Sequence, residues 1–273
     1  MKKFEGMLFC TDLDGTLLSS DKTISGKNSE AIEYFKSEGG LFTFITGRVP
    51  KTSNKIYEMV NPNAPYGCVN GGGIYDPVQN KYLWKRILPR EGLLLVRAVD
   101  ENLPEVAIQL NTEKEIYTNK DNDALVRFRK VTGIEKIARH YDDVEEDILK
   151  VVLAHKNVEM IEALARFLNS HPKASDFDFI RSEKSLYEIL PKGVSKGTLI
   201  LKMAELLGIS PDKTIAIGDY NNDVSMIKSA KLGVAVSNAV EEAKAAADYI
   251  TVSNEEDAIW HIVDLLDRGE LTL

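Results

Sequence analysis

Two short apolar runs, Met7-Leu8-Phe9-Cys10 and Leu41-Phe42-Thr43-Phe44-Ile45, flank one helical repeat, and both stop on polar turns containing glycine. The repeat puts Ala31, Ile32 and Phe35 on one face, with Asn28-Ser29 as the candidate cap and Gly39-Gly40 as the stop. Strand, helix and strand within about 40 residues make a βαβ unit, which requires parallel pairing and a right-handed crossover. That single requirement directs the chain toward an open α/β sheet.

The strand ends carry the chemistry. The first run breaks at Asp12-Leu13-Asp14-Gly15-Thr16 and the second at Thr46-Gly47-Arg48. A third run, Thr214-Ile215-Ala216-Ile217, breaks at Gly218-Asp219-Tyr220-Asn221-Asn222-Asp223. Ligands of open parallel sheets bind at the carboxyl ends of the strands, so all three clusters would line one crevice. Residues two apart on a strand share a face, which would bring Asp12 and Asp14 toward one point. Carboxylates that close repel each other unless a cation or a shared proton compensates. Asp12, Asp14, Asp219 and Asp223 form an oxygen-rich set of the kind a hard cation such as Mg²⁺ takes. Any one cluster alone would pass for a polar turn rich in Asp, Asn and Gly; their coincidence is the signal.

The rest of the chain sorts around these ends. A helix is predicted over 52–59, and a short strand over 66–69 enters the turn Asn70-Gly71-Gly72-Gly73. From Trp84 the character changes. Strand patterns at 106–110, 115–117, 147–154, 177–181 and 186–190 alternate with helical ones, including 158–168. We read 84–187 as an inserted α+β module and 1–83 with 188–273 as the α/β domain that it interrupts. The core resumes with a helix over 195–207, whose predicted buried face is Leu199, Leu201, Met203, Leu206 and Leu207. Further strands follow at 232–236 and 249–251, with helices through Met226-Ile227, over 241–247 and over 258–266. The fold class is α/β: a Rossmann-like, doubly wound parallel sheet with an inserted α+β module.

Lys196 opens the helix after Pro191-Lys192-Gly193. A lysine there opposes the helix dipole. It is either a solvated side chain or a cation that shares a bound anion with the helix end. The stretch is not a P-loop, because the order is Lys-Gly-Thr and the upstream glycine spacing is wrong.

Composition excludes several classes. A formal net charge of −8 argues against a nucleic-acid binder held by phosphate contacts. The two cysteines, Cys10 and Cys68, have no metal or disulfide spacing, and neither has an arginine six residues on, as a cysteine phosphatase needs. His140, His155, His171 and His261 show no metal spacing. Asn70-Gly71-Gly72-Gly73 lacks the third glycine of a dinucleotide fingerprint. The basic start Met1-Lys2-Lys3 is followed by Asp12 before a signal-peptide core can form, and no apolar run is long enough to span a membrane. A cytoplasmic location is expected; oligomeric state is not readable.

Asp12-x-Asp14-Gly15-Thr16, Thr46-Gly47-Arg48, Lys196 and Gly218-Asp219-x-x-Asn222-Asp223, in this order, resemble the haloacid dehalogenase-like (HAD) hydrolases. The closer likeness is to their Cof-type sugar-phosphatase branch, which Asn70-Gly71 and Gly233-Val234-Ala235 also resemble; Ala258 stands where that branch has glycine. The resemblance implies a Mg²⁺-dependent phosphatase of small phosphorylated metabolites, sugar phosphates first among them, with Asp12 as the nucleophile that forms an aspartyl-phosphate and Asp14 as general acid and base. It implies Mg²⁺ on Asp12, the Asp14 backbone carbonyl and Asp219, with Asp223 in or behind that shell. Thr46, Gly47, Lys196 and Asn222 would grip the phosphoryl oxygens, and Arg48 would reach substrate or tie down its loop. The inserted module would select the substrate. A phosphomutase would share every motif, and a non-catalytic phospholigand binder would need no Asp12-Asp14 pair.

Overall fold

A computed structural model describes residues 2–273; Met1, part of the basic start, lies outside them. The chain divides into two compact units. The first comprises residues 2–47, 54–84 and 195–273, and the second residues 48–53 and 85–194. The expected division at 84–187 therefore moves at its far end. Strand Leu186–Pro191 pairs with two strands of the second unit, so a cut after 187 would run through it.

The first unit is built on a five-stranded sheet in the order Tyr249–Ile250, Leu232–Ala235, Thr214–Gly218, Leu8–Thr11 and Leu41–Phe44, parallel throughout. Leu8 pairs with both Thr214 and Leu41, so the first strand is interior to the sheet. Every residue of Leu8–Thr11 is buried, as a strand covered on both faces must be. On one face Phe9 meets Phe35 of helix Gly26–Ser37 and Phe42 of the neighbouring strand. On the other, Leu8 and Cys10 join Leu199, Ile200 and Met203 of helix Lys196–Leu207. The sheet is thus wound on both faces. A three-stranded sheet, Tyr66–Cys68, Gly73–Asp76 and Lys81–Lys85, adjoins it through the parallel bridge Ile45 to Gly67.

Local sequence sets the helix ends. Helix Gly26–Ser37 is capped by Ser25, whose hydroxyl accepts from the Asn28 N–H, so the expected cap at Asn28-Ser29 lay one turn late. Asn28 is instead buried and accepts from the Trp260 N–H of helix Ala258–Asp267. Helix Lys196–Leu207 has a Ser195–Thr198 capping box. Its inner face is Leu199, Ile200, Met203 and Ala204, while Leu201 and Leu206 are each 41% exposed. The expected face was rotated because apolar content alone does not say which side meets the sheet.

The second unit has a six-stranded sheet in the order Phe177–Glu183, Leu186–Pro191, Ile148–Ala154, Ala107–Thr112, Ile116–Lys120 and Ile137–Ala138. Only the last pair is parallel. Helices Gly92–Asn102 and Val158–Asn169 bury Leu95, Val99, Ile161 and Leu164 against Leu110, Val151 and Ile189. Helix Asp123–Thr132 covers part of the opposite face through Leu125, Val152 and Leu186. Among the described residues no helix is long and apolar enough to cross a membrane.

Candidate active site

Three adjacent strands of the first unit's sheet, ending at Phe44, Thr11 and Gly218, carry the three polar turns on their carboxyl ends. The Asp12 N–H still donates to the Ile217 carbonyl at 2.9 Å, so Asp12 sits at the last rung of the ladder with its side chain buried. The strand has ended by then, and alternation does not carry on to Asp14. Asp14 is half-exposed and accepts from Lys22 Nζ at 2.7 Å. The expected convergence of the two side chains is replaced by a buried Asp12 and an outer Asp14.

Asp12, Asp219 and Asp223 instead form the carboxylate group, with ligand atoms within 4.8 Å of one another. Lys196 lies among them at 1% exposure. Its Nζ donates to Asp12 Oδ1 at 2.5 Å and to Asp223 Oδ1 at 2.6 Å. It is not the solvated side chain that the sequence also allowed: it is a buried cation between two carboxylates. Burial acts to lower its pKa, but Asp12 and Asp223 outweigh burial and raise it, so the ammonium is held charged.

The carboxylates are pushed the other way. Burial, then the charge of Asp223, hold Asp12 well above the usual carboxylate range, although Lys196 works against this. Asp219 is pushed up to about 7 by burial and by Asp223, with the Thr16 hydroxyl opposing. Three carboxylates face one ammonium, so the group is short of positive charge. A hard divalent cation would supply it. The residues fit one: Asp12 and Asp219 each give one oxygen to a protein donor, Lys196 and Thr16 respectively, and keep one. Asp223 fits a supporting position, because Oδ1 accepts from Lys196 while Oδ2 accepts from the Asp219 and Tyr220 N–H groups.

Gly15 is required here twice over. Its φ is +89°, and a Cβ would sit 2.6 Å from Asp219 Oδ2. Asn238 Nδ2 donates to the Gly15 carbonyl at 2.9 Å and steadies the turn.

The remaining expected residues divide. Thr46 is buried; its N–H donates to the Gly67 carbonyl and its carbonyl accepts from the Asn70 N–H. Gly47 lies so close to Asn70 that a Cβ would stand 2.9 Å from Asn70 Oδ1. Asn222 donates through Nδ2 to Asn70 Oδ1 at 3.0 Å, while its own Oδ1 is buried without a hydrogen-bond partner. Arg48, half-buried, begins the short segment that groups with the second unit. Asn70 and Thr16 were missed as site residues. The Asn-Gly dipeptide at 70–71 marked a turn without showing what it would touch, and nothing at Lys22 marked its pairing with Asp14.

Residues 9–263 match the family model of the haloacid dehalogenase-like hydrolases. The chain is 26% identical over 257 residues to the 5-amino-6-(5-phospho-D-ribitylamino)uracil phosphatase YitU of Bacillus subtilis, covering 92% of this chain and 94% of that one. It is 28% identical over 286 residues to YwtE of the same organism, which bears the same enzyme name, covering 95% and 97%. Among solved structures, a haloacid dehalogenase-like hydrolase from Bacteroides thetaiotaomicron superposes with a TM-score of 0.82 at 25% identity, covering 96% of this chain and 99% of the other.

Proposed function

The chain belongs to the haloacid dehalogenase-like hydrolases, and from that premise we propose that it is a Mg²⁺-dependent phosphatase of small phosphorylated sugars or sugar alcohols. The observation that carries this reading is the buried Asp12–Lys196–Asp223 group with Asp219 beside it: a nucleophile, a fixed cation and an unbalanced negative charge in one place. The substrate class follows YitU and YwtE, whose enzyme names specify a phosphate ester on a ribityl chain.

Asp12 attacks phosphorus, forming a carboxylate-to-phosphorus bond as the ester P–O bond breaks. Lys196 fixes the orientation of that carboxylate and opposes its protonation. Asp14 delivers a proton to the leaving oxygen, then takes one from the water that attacks the aspartyl-phosphate. The second attack breaks the Asp12–phosphorus bond and frees inorganic phosphate. Thr46, Gly47, Asn222 and the Lys196 ammonium hold the phosphoryl oxygens, with Arg48 as a further contact. Mg²⁺ held by Asp12, Asp219 and the Asp14 backbone carbonyl, with Asp223 behind them, would neutralise the phosphoryl oxygens and the crowded carboxylates. Discrimination among substrates is assigned to the second unit.

The test is phosphate release from a panel of sugar and sugar-alcohol phosphates, with Mg²⁺ and with chelator. Mg²⁺-dependent release of free phosphate supports the reading. An isomeric phosphate product would make the protein a mutase, and turnover undiminished by chelator and by Asp12→Asn would overturn the mechanism.

A further inference from the structure

Asn70 touches three residues of the proposed phosphoryl cradle, Thr46, Gly47 and Asn222. Its N–H donates to the Thr46 carbonyl at 3.1 Å, and its amide stands against Gly47. Its Oδ1 accepts from Asn222 Nδ2 at 3.0 Å. The next residue, Gly71, has φ +104° and lies so close to Ser195 that a Cβ would fall on the Ser195 carbonyl, beside the Lys196 N–H. Asn70 itself is 1% exposed and left-handed, at φ 53° and ψ 32°, a conformation that asparagine tolerates better than most residues. One strained turn thus meets the second strand end, the third strand end and the start of the lysine's helix.

The second observation is the orphaned oxygen. Asn222 Oδ1 is buried with no donor facing it. A phosphoryl group at neutral pH offers chiefly acceptors, so a carbonyl turned toward it gives little. If both amides turn over, the bond between them survives with its direction reversed: Asn70 Nδ2 donates to Asn222 Oδ1. The Asn222 NH₂ then occupies the orphaned position and can donate to a phosphoryl oxygen. Asn70 is suited to this because its amide both accepts and donates.

We propose that Asn70 is a positioning residue for the phosphoryl group, geared to Asn222 so that the two amides turn together when an anion binds. This rests on the phosphatase reading above and adds to it a residue that reaches substrate only through another.

Two substitutions at 70 separate gearing from shape. Asn70→Gly keeps the left-handed turn and removes the partner amide, leaving Asn222 to turn alone. Asn70→Asp keeps size and turn but can only accept, so it pins Asn222 Nδ2 and presents the Asn222 carbonyl to the anion. Binding of inorganic phosphate, measured by calorimetry on the Mg²⁺-loaded protein, should weaken in the order wild type, Asn70→Gly, Asn70→Asp, with about tenfold between the two variants. Part of that gap is the added charge, so the cycle is closed in an Asn222→Ala background. There the gap should shrink to about threefold or less. A gap unchanged by Asn222→Ala overturns the proposal, as does phosphate affinity equal to wild type in both single variants. If Asn70→Gly melts early, the Asn70→Asp pair of proteins still decides the question. Failure of the phosphatase reading looks different: wild type would release no phosphate from any ester, whatever stands at 70.

Discussion

Each unit buries a lysine against a carboxylate, and the two lysines differ in what surrounds them. In the second unit Lys150 donates to Glu188 Oε2 at 2.8 Å, and Ser182 donates to Glu188 Oε1 at 2.7 Å. Both residues of that pair are 3% exposed at the side chain, and they carry opposite charges. In the first unit Lys196 is equally hidden but meets Asp12 and Asp223, with Asp219 adjoining. A matched pair inside a protein is often replaceable by apolar residues of similar volume. An unmatched group carries a standing cost, which folding alone would not favour and which a cation and a phosphoryl ligand would relieve. The contrast teaches that burial of charge does not mark a site; imbalance of buried charge does.

The largest effect that could break this contrast is at Asp12. Asp12→Asn should lower phosphate release by on the order of 10³-fold or more while leaving the circular dichroism spectrum unchanged, since an amide is a poor nucleophile. Full activity in that variant would move the chemistry elsewhere.

Asp14 comes next. A sugar alkoxide needs a proton to leave and nitrophenolate does not. Asp14→Asn should therefore slow phosphorylation of Asp12 by about 10²–10⁴-fold with a sugar phosphate and much less with p-nitrophenyl phosphate. Rapid-quench traces with the latter should show a burst of nitrophenol followed by slow turnover. Equal losses with no burst would remove Asp14 from the acid–base role.

The two lysines give the most direct comparison. Lys150→Met alone removes the ammonium that faces the buried Glu188 and should cost about 3–5 kcal/mol in urea unfolding. Lys150→Met with Glu188→Leu should return stability to within about 1 kcal/mol of wild type, and both variants should keep the first unit's chemistry. Lys196→Met should cost a similar amount in metal-free protein, and no apolar replacement of Asp12 or Asp223 should restore phosphate release. Recovery of activity by such a double replacement would make the two lysines equivalent.

The smallest effect is in pH. The carboxyl of Asp219 is raised from 3.8 to about 7 in the folded protein. Between those values the native state binds more protons than the unfolded chain. Without metal, stability should therefore fall as pH rises through this window, contributing a melting-temperature difference of a few degrees between pH 5 and pH 7.5. Saturating Mg²⁺ should abolish or reverse that trend, and Mg²⁺ binding at pH 6.5 should release protons, seen as a buffer-dependent calorimetric enthalpy. Proton uptake on binding would contradict the raised carboxyl.

The sheet was legible because its information is local. Unbroken apolar runs at Leu8, Leu41, Thr214 and Leu232 mark strands covered on both faces, and the helical repeats between them require parallel crossovers. The presence of Asp12, Asp219 and Asp223 on or near strand ends was equally visible, because a carboxylate that interrupts an apolar run needs a reason; Lys196 was visible as the first residue of a helix. Helix faces were less legible: Leu201 and Leu206 are as apolar as Leu199, and only the neighbouring sheet decides which of them is inside.

Sequence by itself thus determined the order of strands and helices, the residues offered at their ends and the overall deficit of positive charge. What tertiary structure decided was which of those residues meet. Lys196 is 184 positions from Asp12 and 27 from Asp223, and its ion pairs exist only because a capped helix begins where two parallel strands end. The Asn70 amide reaches Asn222 across 152 positions for the same reason. Local pattern fixes secondary structure through neighbours within a few residues, whereas charge pairing and amide orientation depend on distances that only the assembled sheet sets.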